Sequence, residues 1–290
     1  MAALLFNAGL GVDADELRIL AKTPKLLITG ALANIATPLL FIVMVNLGMR
    51  FWHNSEEVQQ ILVGLALVAS MPIAGASTAW SQNANGNLAL SLGLVLLTTL
   101  FSPLLTPLVM HGIGFITVGD YSEDLHELAS NGVVSFLGVW VILPSLVGML
   151  ANQAIGYKKL AACKPYLKLA NYSVLILLNY SNASLTLPKV IAQPDLDFLA
   201  VIAVIVTLLC IIAFSSGYWL GRVFKAGKRA TISLMFGLGM SNNGTGLVLA
   251  SMALSDHPEI MLPIIFYNLI QHLVAASVDG RISRQTPQEL

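Results

Sequence analysis

Two stretches concentrate the residues that could do chemistry. One is Ser70-Met-Pro-Ile-Ala-Gly-Ala-Ser-Thr78; the other is Gly237-Leu-Gly-Met-Ser-Asn-Asn-Gly-Thr-Gly246. Each sets hydroxyls, amides and helix breakers inside an apolar run. Pro72 removes a backbone donor and clashes with the preceding turn. Glycine costs about 1 kcal/mol at each helical position, and asparagine needs partners inside a bilayer. Non-helical backbone survives at membrane depth only where protein buries it or a cavity lines it. Interrupted helices also present N-terminal ends whose positive partial charge suits a carboxylate. His272, next to Gln271, is the one ionisable group that lies deep in a core span. Such a residue is a candidate for function, here as a proton carrier. A hydrogen bond to a neighbouring helix is its plainer role.

Enzymatic parts are missing. Ser77 has no His or Asp at a spacing that would make it a nucleophile. There is no C-x-x-C and no Cys/His cluster for a metal. Cys163 falls in a Lys-rich loop and Cys210 deep in an apolar span, so a disulfide between them is not expected. The chain therefore reads as a non-enzyme without a resident cofactor.

The elements that position these residues are membrane spans. Of 290 residues, 56% are hydrophobic and 10% charged, and the mean hydropathy is +0.78. No acidic residue, lysine or arginine occurs in the 62 residues from Val58 to Gly119. A soluble fold would expose too much of that surface, so the chain reads as an all-α polytopic membrane protein. The net charge of zero argues against nucleic acid as a partner. Met1 to Leu10 has no basic leader and no cleavage-like site.

Uncharged runs give Leu26–Met49, then two spans within Val58–Gly119 that turn at Ser81–Asn87. Leu128–Tyr157, Leu169–Pro188, Phe198–Gly221, Ala230–Ser255 and Ile260–Val278 follow. With eight spans, 13 of the 15 basic residues fall on one side, which the positive-inside rule makes cytoplasmic, together with the C-terminus. The two interrupted spans are each the second of a trio, and the trios start on opposite sides. That is the signature of an inverted-repeat transporter whose broken helices cross at the binding site.

Several motifs then agree in order. Pro72 to Pro107 contains Gly-Asn-Leu-Ala-Leu-Ser at Gly86–Ser91 and Ser-Pro-Leu-Leu-Thr-Pro at Ser102–Pro107. Gly239-Met-Ser-Asn-Asn-Gly244 follows, and Gly9-Leu-Gly-Val-Asp13 precedes. These stretches resemble the bile acid:sodium symporter family, over nearly the whole chain. The resemblance implies a core of six helices that rocks against a panel of four. Residues 1–25 are then a partial panel helix and a cytoplasmic loop. Residues 26–120 and 198–280 are the two core repeats, 121–197 are panel helices, and 281–290 are a cytoplasmic tail. By that pattern the first helix and most of the second are not in this sequence: a start placed too far downstream, a cut chain or a genuine short version would each explain it, and only the last implies a dimer or a poorly active single chain.

By the same resemblance Asn34, Ser77, Thr78, Ser91, Leu238, Met240 and Ser241 match sodium ligands. Gly75, Asn242, Asn243, Gly244 and His272 form the candidate substrate-facing set. The pattern departs in two places. The family's shared glutamate is Gly237 here, and a ligating threonine is Val95. No acidic residue falls within a core span as drawn above, so sodium coupling is expected to be weak or absent. The function implied is a secondary active carrier of an organic anion, either a small carboxylate or a bile-acid-like or steroid-type compound, in a bacterial inner membrane. A proton-coupled carrier using His272 and a channel or receptor built on the same fold are the alternatives. An arsenite-type carrier would need a cysteine in the first break, and none lies between Ala66 and Asn87.

Overall fold

The computed structural model describes residues 2–10, 24–155, 194–254 and 256–284, with isolated positions between 166 and 192. Helix α1 is Ala2–Leu10 and α2 is Pro24–Gly48. Helix α3, Ser55–Ser70, starts where the Asn54 side chain accepts from the Glu56 N–H, with Glu56 and Glu57 in its first turn, both favourable at a helix N-terminus. Residues 60–70 of α3 are buried on every face, which makes it the central helix. The first break follows, then α4, Ala76–Asn83. The polar turn falls where the sequence places it. Asn85 takes a positive φ of 57°, and the Asn87 side chain caps α5, Leu88–Gly114.

Helix α6, Asp120–Glu127, is short and polar. Two π-helical turns, Leu128–Gly132 and Gly138–Ile142, flank α7, Val133–Leu137, and lead into α8, Leu143–Ile155. Helix α9, Leu196–Val223, is capped by Asp195. Helices α10, Lys228–Gly239, and α11, Asn243–Ala253, are the halves of the second broken span, and α12 is Met261–Arg284.

Among the described residues, five continuous segments are long and apolar enough to cross a membrane: Pro24–Phe51, Leu88–Gly114, Val133–Ile155, Leu196–Val223 and Pro258–Arg284. Together with the broken pairs α3–α4 and α10–α11 they account for seven of the eight expected spans. The eighth, Leu169–Pro188, and Cys163 lie outside the continuously described residues. Among the described residues the chain is helical, with one isolated extended pairing. It is an all-α integral membrane protein.

Two expectations need correcting. The second break is shorter than its glycines suggest: Gly237 and Gly239 stay in α10, and Asn243 to Gly246 open α11, so only residues 240–242 leave the helix. The last span does not stop at Val278. Helix α12 continues to Arg284 and takes in Asp279, so the helix of the last expected span does contain an acid.

Helix α1 crosses α8 at closely packed backbones. A Cβ on Gly9 would collide with the Ser145 carbonyl, and one on Gly148 with the Phe6 carbonyl. Only glycine permits that approach from both sides.

Candidate site at the crossing of the two breaks

The breaks meet. Ile73 and Ser241 form an antiparallel bridge. The Ala74 N–H donates to the Met240 carbonyl at 2.9 Å, and the Asn242 N–H donates to the Pro72 carbonyl at 2.9 Å. Each unwound segment thus satisfies backbone groups of the other, as a dry interior requires. Side chains complete the pairing. The Ile73 N–H donates to Thr98 Oγ1 of α5 at 3.1 Å, and the Ser241 N–H donates to Gln271 Oε1 of α12 at 3.1 Å. Carbonyls freed at the helix ends find donors too. Thr106 Oγ1 donates to the Ser70 carbonyl at 2.7 Å and the Tyr267 hydroxyl to the Gly239 carbonyl at 3.3 Å.

A second group of polar atoms is not satisfied. Ser77 Oγ, Ser91 Oγ, Thr245 Oγ1 and both side-chain polar atoms of Asn243 are buried without a hydrogen-bond partner among the described residues. Each such atom costs about 1–3 kcal/mol if nothing meets it. Ser77 lies in the first turn of α4; Asn243 and Thr245 open α11. Buried polar groups with open valences, set at two positive helix ends, suit a polar ligand of negative charge.

The other candidates divide. Leu238, Met240 and Ser241 are buried at the crossing, and the Met240 carbonyl already accepts Ala74. Asn34 is buried. It stands one turn beyond Gly30, whose open side faces Leu94 and Leu234, so it shares the face of α2 turned to α5 and α10. Thr78 Oγ1 is used locally, donating to the Gly75 carbonyl at 2.7 Å. Asn242 and Gly244 are half-buried and Gly75 is exposed. His272 is half-buried, about 100° round α12 from Gln271, the residue that reaches the break.

Position 237 offers this crossing no side-chain oxygen. A Cβ on Gly237 would lie 3.2 Å from Leu94 Cδ1 and 3.9 Å from Ile73 Cδ1. Those two residues belong to an apolar cluster with Leu90, Leu234 and Leu238, against which Val95 packs. The place of a carboxylate is thus lined with hydrocarbon. What the crossing itself offers a cation is neutral: hydroxyls and the carbonyls of unwound backbone.

A cavity of about 320 Å³ lies between α5 and α8, lined by Leu27, Leu96, Leu100, Ile142, Leu146 and Met149 among others. It shares no lining residue with the crossing, and its walls suit an acyl chain rather than a carboxylate.

The family model for SBF-like CPA transporters matches residues 1–284. The chain belongs to this family. It is the grouping that the Gly86–Ser91 and Ser102–Pro107 motifs resemble. Among its relatives, the uncharacterised protein YbaS of Bacillus subtilis (strain 168) is 27% identical, over 84% of this chain and 78% of its own length. A second Bacillus subtilis (strain 168) relative, the uncharacterised sodium-dependent transporter YocS, is 23% identical over 98% of this chain and 83% of its own. The probable chloroplastic sodium/metabolite cotransporter BASS2 of Oryza sativa subsp. japonica is 22% identical, over 90% of this chain and 57% of its own. Membership makes the chain a membrane transporter.

Within this SBF-like chain, sequence reasoning missed Thr98, Thr106, Tyr267 and Thr245, and gave Gln271 only as a neighbour of His272. Thr245 lies within the second interrupted stretch; the other four sit in spans that read as plain apolar helix. Their one signal is a hydroxyl or amide on a helix that follows a broken one.

Proposed function

We propose that the protein is a secondary carrier that moves a small organic anion across a bacterial plasma membrane by alternating access. One observation carries this reading: the paired breaks at Ile73 and Ser241 are flanked by buried polar atoms without a hydrogen-bond partner among the described residues. Ser77, Asn243 and Thr245 would take the carboxylate at the N-terminal ends of α4 and α11. Gly75, Asn242 and Gly244, less buried, would form its approach. The C-terminus is cytoplasmic on this reading, from the excess of basic residues in that set of loops.

Two relatives carry sodium in their names, and Na+ is the natural first candidate for the driving ion. The hydrocarbon around Gly237 argues that the crossing itself holds sodium weakly. His272, turned from the break, gives proton coupling no support there. The reading is tested by thermal unfolding in detergent with short carboxylates such as pyruvate and pantoate, each with and without sodium. Stabilisation by a carboxylate, lost in Asn243→Ala, is expected. The reading fails if no organic anion stabilises the protein, or if Asn243→Ala responds as the parent does.

A further inference from the structure

The cavity between α5 and α8 is chemically unlike the crossing. Its side-chain walls are hydrocarbon apart from two hydroxyl residues, Thr99 and Ser145. The Ser145 hydroxyl donates to the Val141 carbonyl at 2.8 Å. An apolar cavity of about half this volume stays dry and takes up apolar guests. The space is elongated: α5 lines it from Gly93 to Leu100, about 10 Å at 1.5 Å per residue. It also opens sideways. Leu100, near the middle of a membrane-crossing segment, and Leu146 both line it and are exposed at the protein surface. At that depth the surrounding medium is lipid hydrocarbon. A Cβ on Gly30 would meet Leu94, so Leu27, a turn earlier on α2, lies at the Gly93 end of the cavity. Leu27 stands two residues after the exposed Lys25, at the start of α2. On the orientation proposed above that end is cytoplasmic, the side that collects 13 of the 15 basic residues.

We propose that this cavity holds one acyl chain of a phospholipid from the cytoplasmic leaflet, with an anionic head group at the level of Lys25. A dry apolar space that opens on hydrocarbon fills with hydrocarbon, and its long, narrow form suits a chain rather than a compact guest. A lysine at the membrane surface attracts an anionic head group, and its four-carbon stem lets the ammonium reach head-group depth. The chain would lie in the seam between α5 and α8. A ligand favours whichever arrangement binds it better, so a lodged chain holds the two helices as they stand here. That it thereby slows or biases the carrier's rocking rests on the reading proposed above; the lipid site itself does not.

The test uses the full chain in detergent and phosphatidylglycerol that carries a photoactivatable diazirine in its acyl chain. Illumination should label the protein saturably, on α5 between Leu96 and Leu100 and on α8 between Ile142 and Met149. Unlabelled phosphatidylglycerol should compete at about fivefold lower concentration than phosphatidylcholine, the worth of one lysine near a charged lipid. Lys25→Gln should narrow that preference, and Leu146→Trp, which fills the cavity, should abolish the labelling of α5. Labelling that does not saturate or maps elsewhere, equal competition by the two lipids, a preference that Lys25→Gln leaves untouched, or a Leu146→Trp protein labelled like the parent would each overturn the proposal. Should Leu146→Trp fail to fold, Leu100→Trp decides by the same readout. Displacement of the label by pyruvate or pantoate would make the cavity part of the anion's path and would overturn it too. Stabilisation by carboxylates is measured on the same samples. Its absence, beside a saturable label on α5 and α8, would sink the carrier and leave the lipid site standing.

Discussion

Thr98 and Gln271 do the same work on opposite sides of the crossing. One accepts the N–H of Ile73, the other that of Ser241, each at 3.1 Å. Each stands on the helix that follows the broken one in its own trio. Removing either acceptor leaves a buried N–H unmet, at about 1–3 kcal/mol. Thr98→Val and Gln271→Leu should therefore each lower the unfolding midpoint clearly, and Thr98→Ser should not. A neutral effect of Thr98→Val would mean that the Ile73 N–H is satisfied in some other way.

The unpaired atoms predict the opposite behaviour. Ser77 Oγ and Thr245 Oγ1 have no partner among the described residues, so Ser77→Ala and Thr245→Val remove a burden from the empty protein. Stability without ligand should hold or rise by about 1 kcal/mol, while affinity for the organic anion falls. Unfolding midpoints measured with and without ligand separate the two effects. Loss of stability without ligand would show these hydroxyls to be structural.

Position 237 can be rebuilt only together with its neighbour. Gly237→Glu alone sets a Cβ 3.2 Å from Leu94 Cδ1 and should cost about 1–3 kcal/mol through overpacking. Gly237→Glu with Leu94→Ala makes room for the acid. The pair should acquire a stronger sodium response than the parent. Absence of that gain would mean that missing charge is not what weakens sodium at the crossing.

Helix α6 is braced by imidazoles. His111 Nδ1 and His126 Nδ1 are 2.7 Å apart, which requires at least one neutral ring. His257 Nε2 lies 3.9 Å from Asp124. His126→Phe removes the bond and leaves His111 Nδ1 without that partner, so the unfolding midpoint should fall, by about 0.5–1.5 kcal/mol of stability. Burial holds the Asp124 carboxyl above its usual range, against the pull of His257. Its stabilising share is full below the ordinary carboxylate pKa and is lost as pH rises through the raised value. Unfolding midpoints of parent and His126→Phe, with the parent followed across pH 4–8, check both.

Both breaks were legible because Pro72 and the Gly–Asn cluster cannot be hidden in an apolar run. Their extent was not. Gly239 stays helical because its bare face lies directly against the Phe214 ring, a contact from another span that no local pattern carries. The satisfaction of the breaks was equally out of reach. Thr98 lies 25 residues from Ile73, and Gln271 lies 30 from Ser241, and neither interrupts a hydrophobic run. Asp279 was lost to a rule that ends a span at its first charge, although α12 continues past it. Family motifs located Ser77, Ser91, Asn242 and Asn243 in the sequence. Which of their polar atoms lack a partner needed coordinates.

Uptake of labelled short carboxylates into proteoliposomes tests the central claim most directly, comparing the parent with Asn243→Ala under imposed sodium and pH gradients. The account predicts saturable uptake by the parent that at least one gradient drives, and a loss of about tenfold or more in Asn243→Ala, equivalent to about 1.4 kcal/mol. Flux that rises linearly with concentration, or saturable uptake that Asn243→Ala leaves unchanged, would contradict it.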